Sequence, residues 1–126
     1  MQSEPSPIQI ALTPRFKRDL RELAKRYRSI RTDLQPLIEQ LQAGEILGDR
    51  IAGVKYQVFK VRLKNSNIQK GKSGGYRVIY YLKTDEGIIL TTIYSKSDIS
   101  DVSNETIESA IAQYEQEIQI ADNSDA

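Results

Sequence analysis

Apolar residues in this chain keep one spacing before the glycine-punctuated segment 44–53 and another after it. Phe16, Leu20, Leu23, Ala24 and Tyr27 fall three or four apart, as do Leu34, Leu37, Ile38 and Leu41, the spacing that lines one face of an α-helix. From Tyr56 to Leu63 the pattern alternates, with Phe59, Val61 and Leu63 on one side and Lys60, Arg62 and Lys64 on the other, which is the period of a strand. A chain that changes period in this way has to set helices against a sheet.

Around this change the other elements follow from local signals. Ile8 to Leu12 reads as a short strand, and Thr13-Pro14 as an N-cap with proline at the first helical position. The second helix is expected from about Asp33 to Ala43, with Pro36 tolerated in its first turn and Gly44 as its stop. Tyr76 to Lys83 and Ile88 to Lys96 read as hairpin strands joined through Thr84-Asp85-Glu86-Gly87. Ser103 caps a last helix with Glu105 in its first turn and Ile107, Ala110, Ile111, Tyr114 and Ile118 as its inward stripe.

The expected fold is therefore α+β in the order β-α-α-β-β-β-α, a helical hairpin packed on one face of a mostly antiparallel four-stranded sheet. Its core would hold Phe16, Leu20, Leu23, Leu37, Leu41, Phe59, Val61, Val78 and Ile93, leaving the cations on the opposite face. With 126 residues there is room for one ordinary domain, placed over 8–118 between a flexible segment 1–7 and a polar tail 119–126 that frays.

The residues that are missing narrow the chemistry. No cysteine and no histidine occur, which removes disulfides, thiolate metal sites and the commonest general base. Any catalysis falls to Lys, Arg, Tyr, Asp, Glu, Ser or Thr, and no metal or other cofactor is expected. Short apolar runs, and a start at Met1 to Pro7 without the regions of a signal peptide, make the cytoplasm the expected compartment with no membrane partner. The net charge of +1 hides an asymmetry: eight acids and no base follow Ser97, so all 18 bases face only nine acids before it. A basic body of that kind suits a polyanion, and the acidic last helix must sit elsewhere or fold over it.

The segment Lys70-Gly71-Lys72-Ser73-Gly74-Gly75-Tyr76-Arg77 joins a glycine-rich basic loop to a strand that carries an arginine. Phosphate is its natural ligand. It is not a P-loop, because Ser66 stands where the first glycine belongs and a β-rich run replaces the phosphate-binding helix. Lys60, Arg62 and Lys64 on one strand face repel one another unless solvent or an anion meets them, and Arg77 on the next strand favours the anion.

The runs Val58-Phe59-Lys60-Val61-Arg62-Leu63, Lys70 to Tyr81 and Ile93-Tyr94-Ser95-Lys96-Ser97-Asp98 resemble the RelE/ParE toxin superfamily, nearest its RelE/HigB-type members. The resemblance covers about residues 8 to 118. It implies the toxin of a type II toxin-antitoxin system that enters the ribosome, cuts mRNA without a metal and is held inactive by a cognate antitoxin. In such a reaction the 2′-oxygen attacks the adjacent phosphorus, so the protein must accept a proton, stabilise phosphoryl charge and protonate the leaving 5′-oxygen. Arg62 and Arg77 are the candidates for the charge, both expected to face substrate rather than core. Lys60, Lys70, Lys72 and Lys96 are candidates for a base, since crowding by other cations makes a neutral amine available. Lys64, Lys70 and Lys72 would hold RNA phosphates. Tyr94 would stack on a base or donate a proton, or be a half-buried sheet tyrosine. The alternatives are a ParE-like inhibitor of DNA gyrase and a catalytically degenerate module that only binds its partner.

Overall fold

The computed structural model describes residues 8–68, 74–84 and 87–124, with side chains as far as Ala121. The first strand, β1 (Gln9–Leu12), runs directly into helix α1 (Pro14–Arg26). Thr13 accounts for the sharp entry: its hydroxyl accepts the Phe16 N–H at 2.9 Å and donates to the Thr91 carbonyl at 2.7 Å, so one buried side chain caps the helix and ties it to the sheet. Helix α2 (Ile30–Gln42) follows. It begins three residues earlier than expected, because Ile30 is fully buried in the core and draws the first turn inward. Pro36 therefore lies inside α2 and not in its first turn. Both Pro36 and Thr32 are exposed, so the carbonyl that loses its helical partner faces water.

Five strands form one sheet in the order β1-β5-β4-β3-β2, where β2 is Asp49–Arg50, β3 Val58–Leu63, β4 Tyr76–Thr84 and β5 Gly87–Ser95. The four-stranded expectation is corrected by β2, two residues long and too short to carry a periodic signal. All pairings are antiparallel except β1 with β5. The β4–β5 hairpin closes with Thr84 opposite Gly87; Asp85 and Glu86 lie outside the described residues.

One face of the sheet is closed by α1 and α2. Phe16, Leu23, Leu34, Leu37 and Leu41 pack there on Phe59, Val61, Tyr76, Val78, Tyr80, Leu90 and Ile93, with Leu20 partly buried at the margin. The other face is covered at one end only, by helix α3 (Asn104–Ser124). Ile107 and Ile111 of α3 meet Val58, Ile79 and Tyr94, flanked by Tyr81 and Val102. The cations were expected on this face, and its β3 sequence, Val58, Lys60, Arg62, adds an apolar end that takes the helix.

Helix α3 outruns the sheet. Ile118 was expected in its buried stripe but is 41% exposed, and Ile120 is 60% exposed, because both lie past the apolar cluster that Ile107 and Ile111 join. The helix also continues to Ser124 where a frayed tail was expected. Among the described residues no helix is long and apolar enough to cross a membrane.

Gly75 marks the point where the backbone before β4 touches β3. A Cβ there would stand 2.2 Å from the Leu63 carbonyl oxygen and 3.0 Å from the Asn65 nitrogen, both backbone atoms that cannot swing aside. Gly75→Ala is expected to lower unfolding free energy by about 1–3 kcal/mol, the usual range for overpacking. Denaturant unfolding would measure it, and an unchanged midpoint would show that the two segments part easily.

Candidate functional site

Strand register assembles the site. In the antiparallel ladder Arg62 stands opposite Arg77, and Arg77 opposite Tyr94, so three side chains from β3, β4 and β5 form one row on the face opposite α1 and α2, its Tyr94 end packed under α3. The next row is Lys60, Ile79 and Thr92, and the one beyond is Val58, Tyr81 and Ile89. Chemistry therefore grades into core along the strands, from a cationic row to an apolar one.

Arg62 is exposed. Arg77 is not solvent-facing as expected; it is 7% exposed, and its Nη1 donates to the Tyr76 carbonyl at 3.2 Å. Its place in the middle of the row, on the central strand and between two large neighbours, explains the burial. Like charges directly opposite each other repel in a sheet, and Arg62 and Arg77 hold that register.

Tyr94 is 6% exposed, with its ring packed in the α3 cluster and its hydroxyl donating to Asp101 Oδ1 at 3.1 Å. The ring is spent on packing, which leaves the hydroxyl as its chemical group. Burial, followed by the charge of Asp101 and the hydrogen bond to it, pushes its pKa up to about 12 against a small opposing effect of Arg77.

Asp101 is the functional candidate that the sequence reading missed. Its Oδ1 receives the Lys60 ammonium at 3.0 Å and the Val102 N–H at 2.9 Å as well as the Tyr94 hydroxyl. Burial would raise its pKa, but Lys60, Val102 and Tyr94 together hold it below the ordinary carboxylate value. The sequence offered no signal for it, since one aspartate in a polar loop forty-one residues from Lys60 has no periodicity or motif to mark it. The expectation for Lys60, crowded by other cations and so available as a neutral amine, is corrected accordingly: its amine meets a carboxylate.

Lys96 is also engaged, donating to the Ser100 carbonyl at 2.6 Å. It closes the loop that carries Asp101. Arg26 grips Asp98 of the same loop through two hydrogen bonds, one of them 3.0 Å long, and holds the Asp98 carboxyl below its usual pKa. Lys64 is exposed beyond Arg62 on β3's outgoing end. Lys70 and Lys72 lie outside the described residues. Among the described residues no group of three or more His, Cys, Asp or Glu is placed to hold a metal ion.

A two-helix layer on a β1-β5-β4-β3 sheet, with a cationic row on the far face, defines a toxin of the RelE/ParE superfamily. The chain belongs to the family described as ParE toxin of type II toxin-antitoxin system, parDE, whose family model matches residues 10–99. It is accordingly the toxin of a type II toxin-antitoxin system, and an antitoxin partner follows from that membership. Its fold is similar to that of E. coli toxin RelE, an arginine-to-alanine mutant in the free state, at a TM-score of 0.51 and 16% sequence identity, over 86% of this chain and 98% of that one. No curated protein matches the chain by sequence.

The Tyr94 environment has a consequence for stability at high pH. An unfolded tyrosine titrates near 10 and folded Tyr94 near 12, so between those values the unfolded chain has released a proton that the folded chain keeps. The contribution is full below about pH 10 and is lost as pH rises towards 12. Wild type should lose more stability than Tyr94→Phe between pH 9.5 and pH 11.5 in denaturant unfolding. Equal losses would mean that the hydroxyl is not held in this way.

Proposed function

We propose that this toxin is a ribosome-dependent mRNA endonuclease that works without a metal ion. The observation that carries the reading is the Arg62–Arg77–Tyr94 row, with Lys60 beside it, on the sheet face opposite α1 and α2, where α3 covers Tyr94 and leaves Arg62 exposed. Two guanidiniums side by side in one row suit a ligand with concentrated negative charge, and a pentacovalent phosphoryl group has it.

In this reading the mRNA 2′-oxygen gives its proton to a solvent water and attacks the adjacent phosphorus, the bond from phosphorus to the 5′-oxygen breaks as that oxygen is protonated, and a 2′,3′-cyclic phosphate remains. Arg62 meets the phosphoryl oxygens from the solvent side and Arg77 supports the same charge from beneath. Tyr94 keeps its proton well above neutral pH, which suits it to donate towards the leaving 5′-oxygen and not to serve as base. Lys60 lies within the same hydrogen-bonded group. Lys64, with Lys70 and Lys72 of the glycine-rich loop, would hold flanking phosphates. Lys96, tied to Ser100, contributes by fixing the loop.

A second reading, inhibition of DNA gyrase, is favoured by one observation, that the matching family model is the ParE one. Inducing the toxin alone while mapping mRNA 5′ ends and assaying DNA supercoiling separates the two. In-frame mRNA cuts support the ribonuclease; intact mRNA with gyrase-dependent DNA damage supports the inhibitor.

Arg62→Ala is the cleanest probe because the side chain is exposed. Its loss should cost ~3–4 kcal/mol of transition-state stabilisation, or about 10²–10³ in cleavage rate, with the thermal midpoint unchanged or raised by relief of the Arg62–Arg77 repulsion. Cleavage should persist in EDTA when a polycation keeps ribosomes intact, and the products should carry cyclic or 3′-phosphate ends. Products with 3′-hydroxyl ends, formed only after divalent metal is restored, would remove this mechanism.

A further inference from the structure

We infer that Asp101 is a positioning residue of this site, holding the Lys60 ammonium beside the Tyr94 hydroxyl for reaction at a phosphate; the inference rests on the ribonuclease reading above. Asp101 lies two residues beyond the segment matched by the family model, yet its carboxylate joins groups from two strands of the matched sheet. Lys60 on β3 and Tyr94 on β5 donate to one and the same oxygen.

The loop around Asp101 is held on both sides. On the strand side, the Asp98 and Ile99 N–H groups bond back to the Ser95 carbonyl at 3.0 and 3.2 Å, Lys96 reaches Ser100, and Arg26 of α1 grips Asp98. On the helix side, Val102 packs in the second apolar cluster and the Ser103 hydroxyl accepts the Thr106 N–H at 3.1 Å as α3 begins. The Val102 N–H bond then sets the carboxylate's own direction. So many restraints on one exposed aspartate fix a geometry more than they add stability, since an exposed ion pair contributes little.

What the geometry supplies is order in Lys60. A lysine has a flexible four-carbon stem, whereas Tyr94 is fixed by packing, and sharing an oxygen brings the mobile donor to the fixed one. The carboxylate also carries a cost, because a negative charge against Lys60 and Tyr94 opposes an incoming phosphate. Asp101 thus trades affinity for alignment, and the two effects separate on substitution.

Asp101→Asn keeps a carbonyl oxygen for Tyr94 and Val102 but removes the ion pair to Lys60. In ribosome-programmed cleavage by the full chain, its kcat should fall about 10- to 100-fold, the scale of a small misalignment, while KM stays level or falls. Asp101→Glu, which keeps the charge, should recover part of the loss. In a Lys60→Ala background Asp101→Asn should add little further loss, since both changes remove one arrangement. In the side-chain NMR spectrum, the hydrogen-bonded Lys60 ammonium signal should weaken in Asp101→Asn. The inference is overturned if Asp101→Asn cleaves as fast as wild type or faster, if the Lys60 signal is unchanged, or if the two substitutions add independently. A wild-type chain that does not cleave ribosome-bound mRNA would overturn the ribonuclease reading itself, and this inference with it.

Discussion

The antiparallel register of β3, β4 and β5 is the constraint on which the rest depends. It puts Arg62, Arg77 and Tyr94 in one row, and it follows from burial on the opposite face. Phe59, Val61, Val78, Tyr80 and Ile93 must all point at α1 and α2, and a slip by one residue would turn each of them to the other side. The cations are therefore aligned by hydrophobic packing that they take no part in.

Helix α3 divides the second face between structure and chemistry. Val58, Ile79 and Tyr81 need cover, and the first half of α3 provides it through Ile107 and Ile111. The same docking brings the loop 96–103 to the margin of the cationic row, where Asp101 meets Lys60 and Tyr94. The acidic end of the chain is thus no separate domain of charge. One of its carboxylates enters the basic site, and Asp98 and Glu115 make contacts with Arg26 and Lys83 at other places on the body.

Different cations consequently have different tasks. Arg62 and Lys64 remain exposed to solvent, Arg77 is sunk in the sheet, Lys60 shares a carboxylate with Tyr94, and Lys96 braces a loop. A face that reads as uniformly basic in one dimension becomes a graded site in three, because neighbours along a strand meet different partners across it.

The sequence by itself determined the helical hairpin, the three long strands, both helix caps and most of the core. Each of these rests on short-range spacing or on a side chain bonding its own backbone, as at Thr13 and Ser103. Alternation also assigned Lys60 and Arg62 to the face away from the main core. What only the tertiary structure decided was depth and company. The burial of Arg77 depends on its place in the middle of the sheet, β2 is too short to leave a pattern, and Ile118 keeps its helical spacing after the surface beneath it has ended. Asp101 is the extreme case: its partners are chosen by where α3 docks, a contact between segments far apart in the chain that no local spacing encodes.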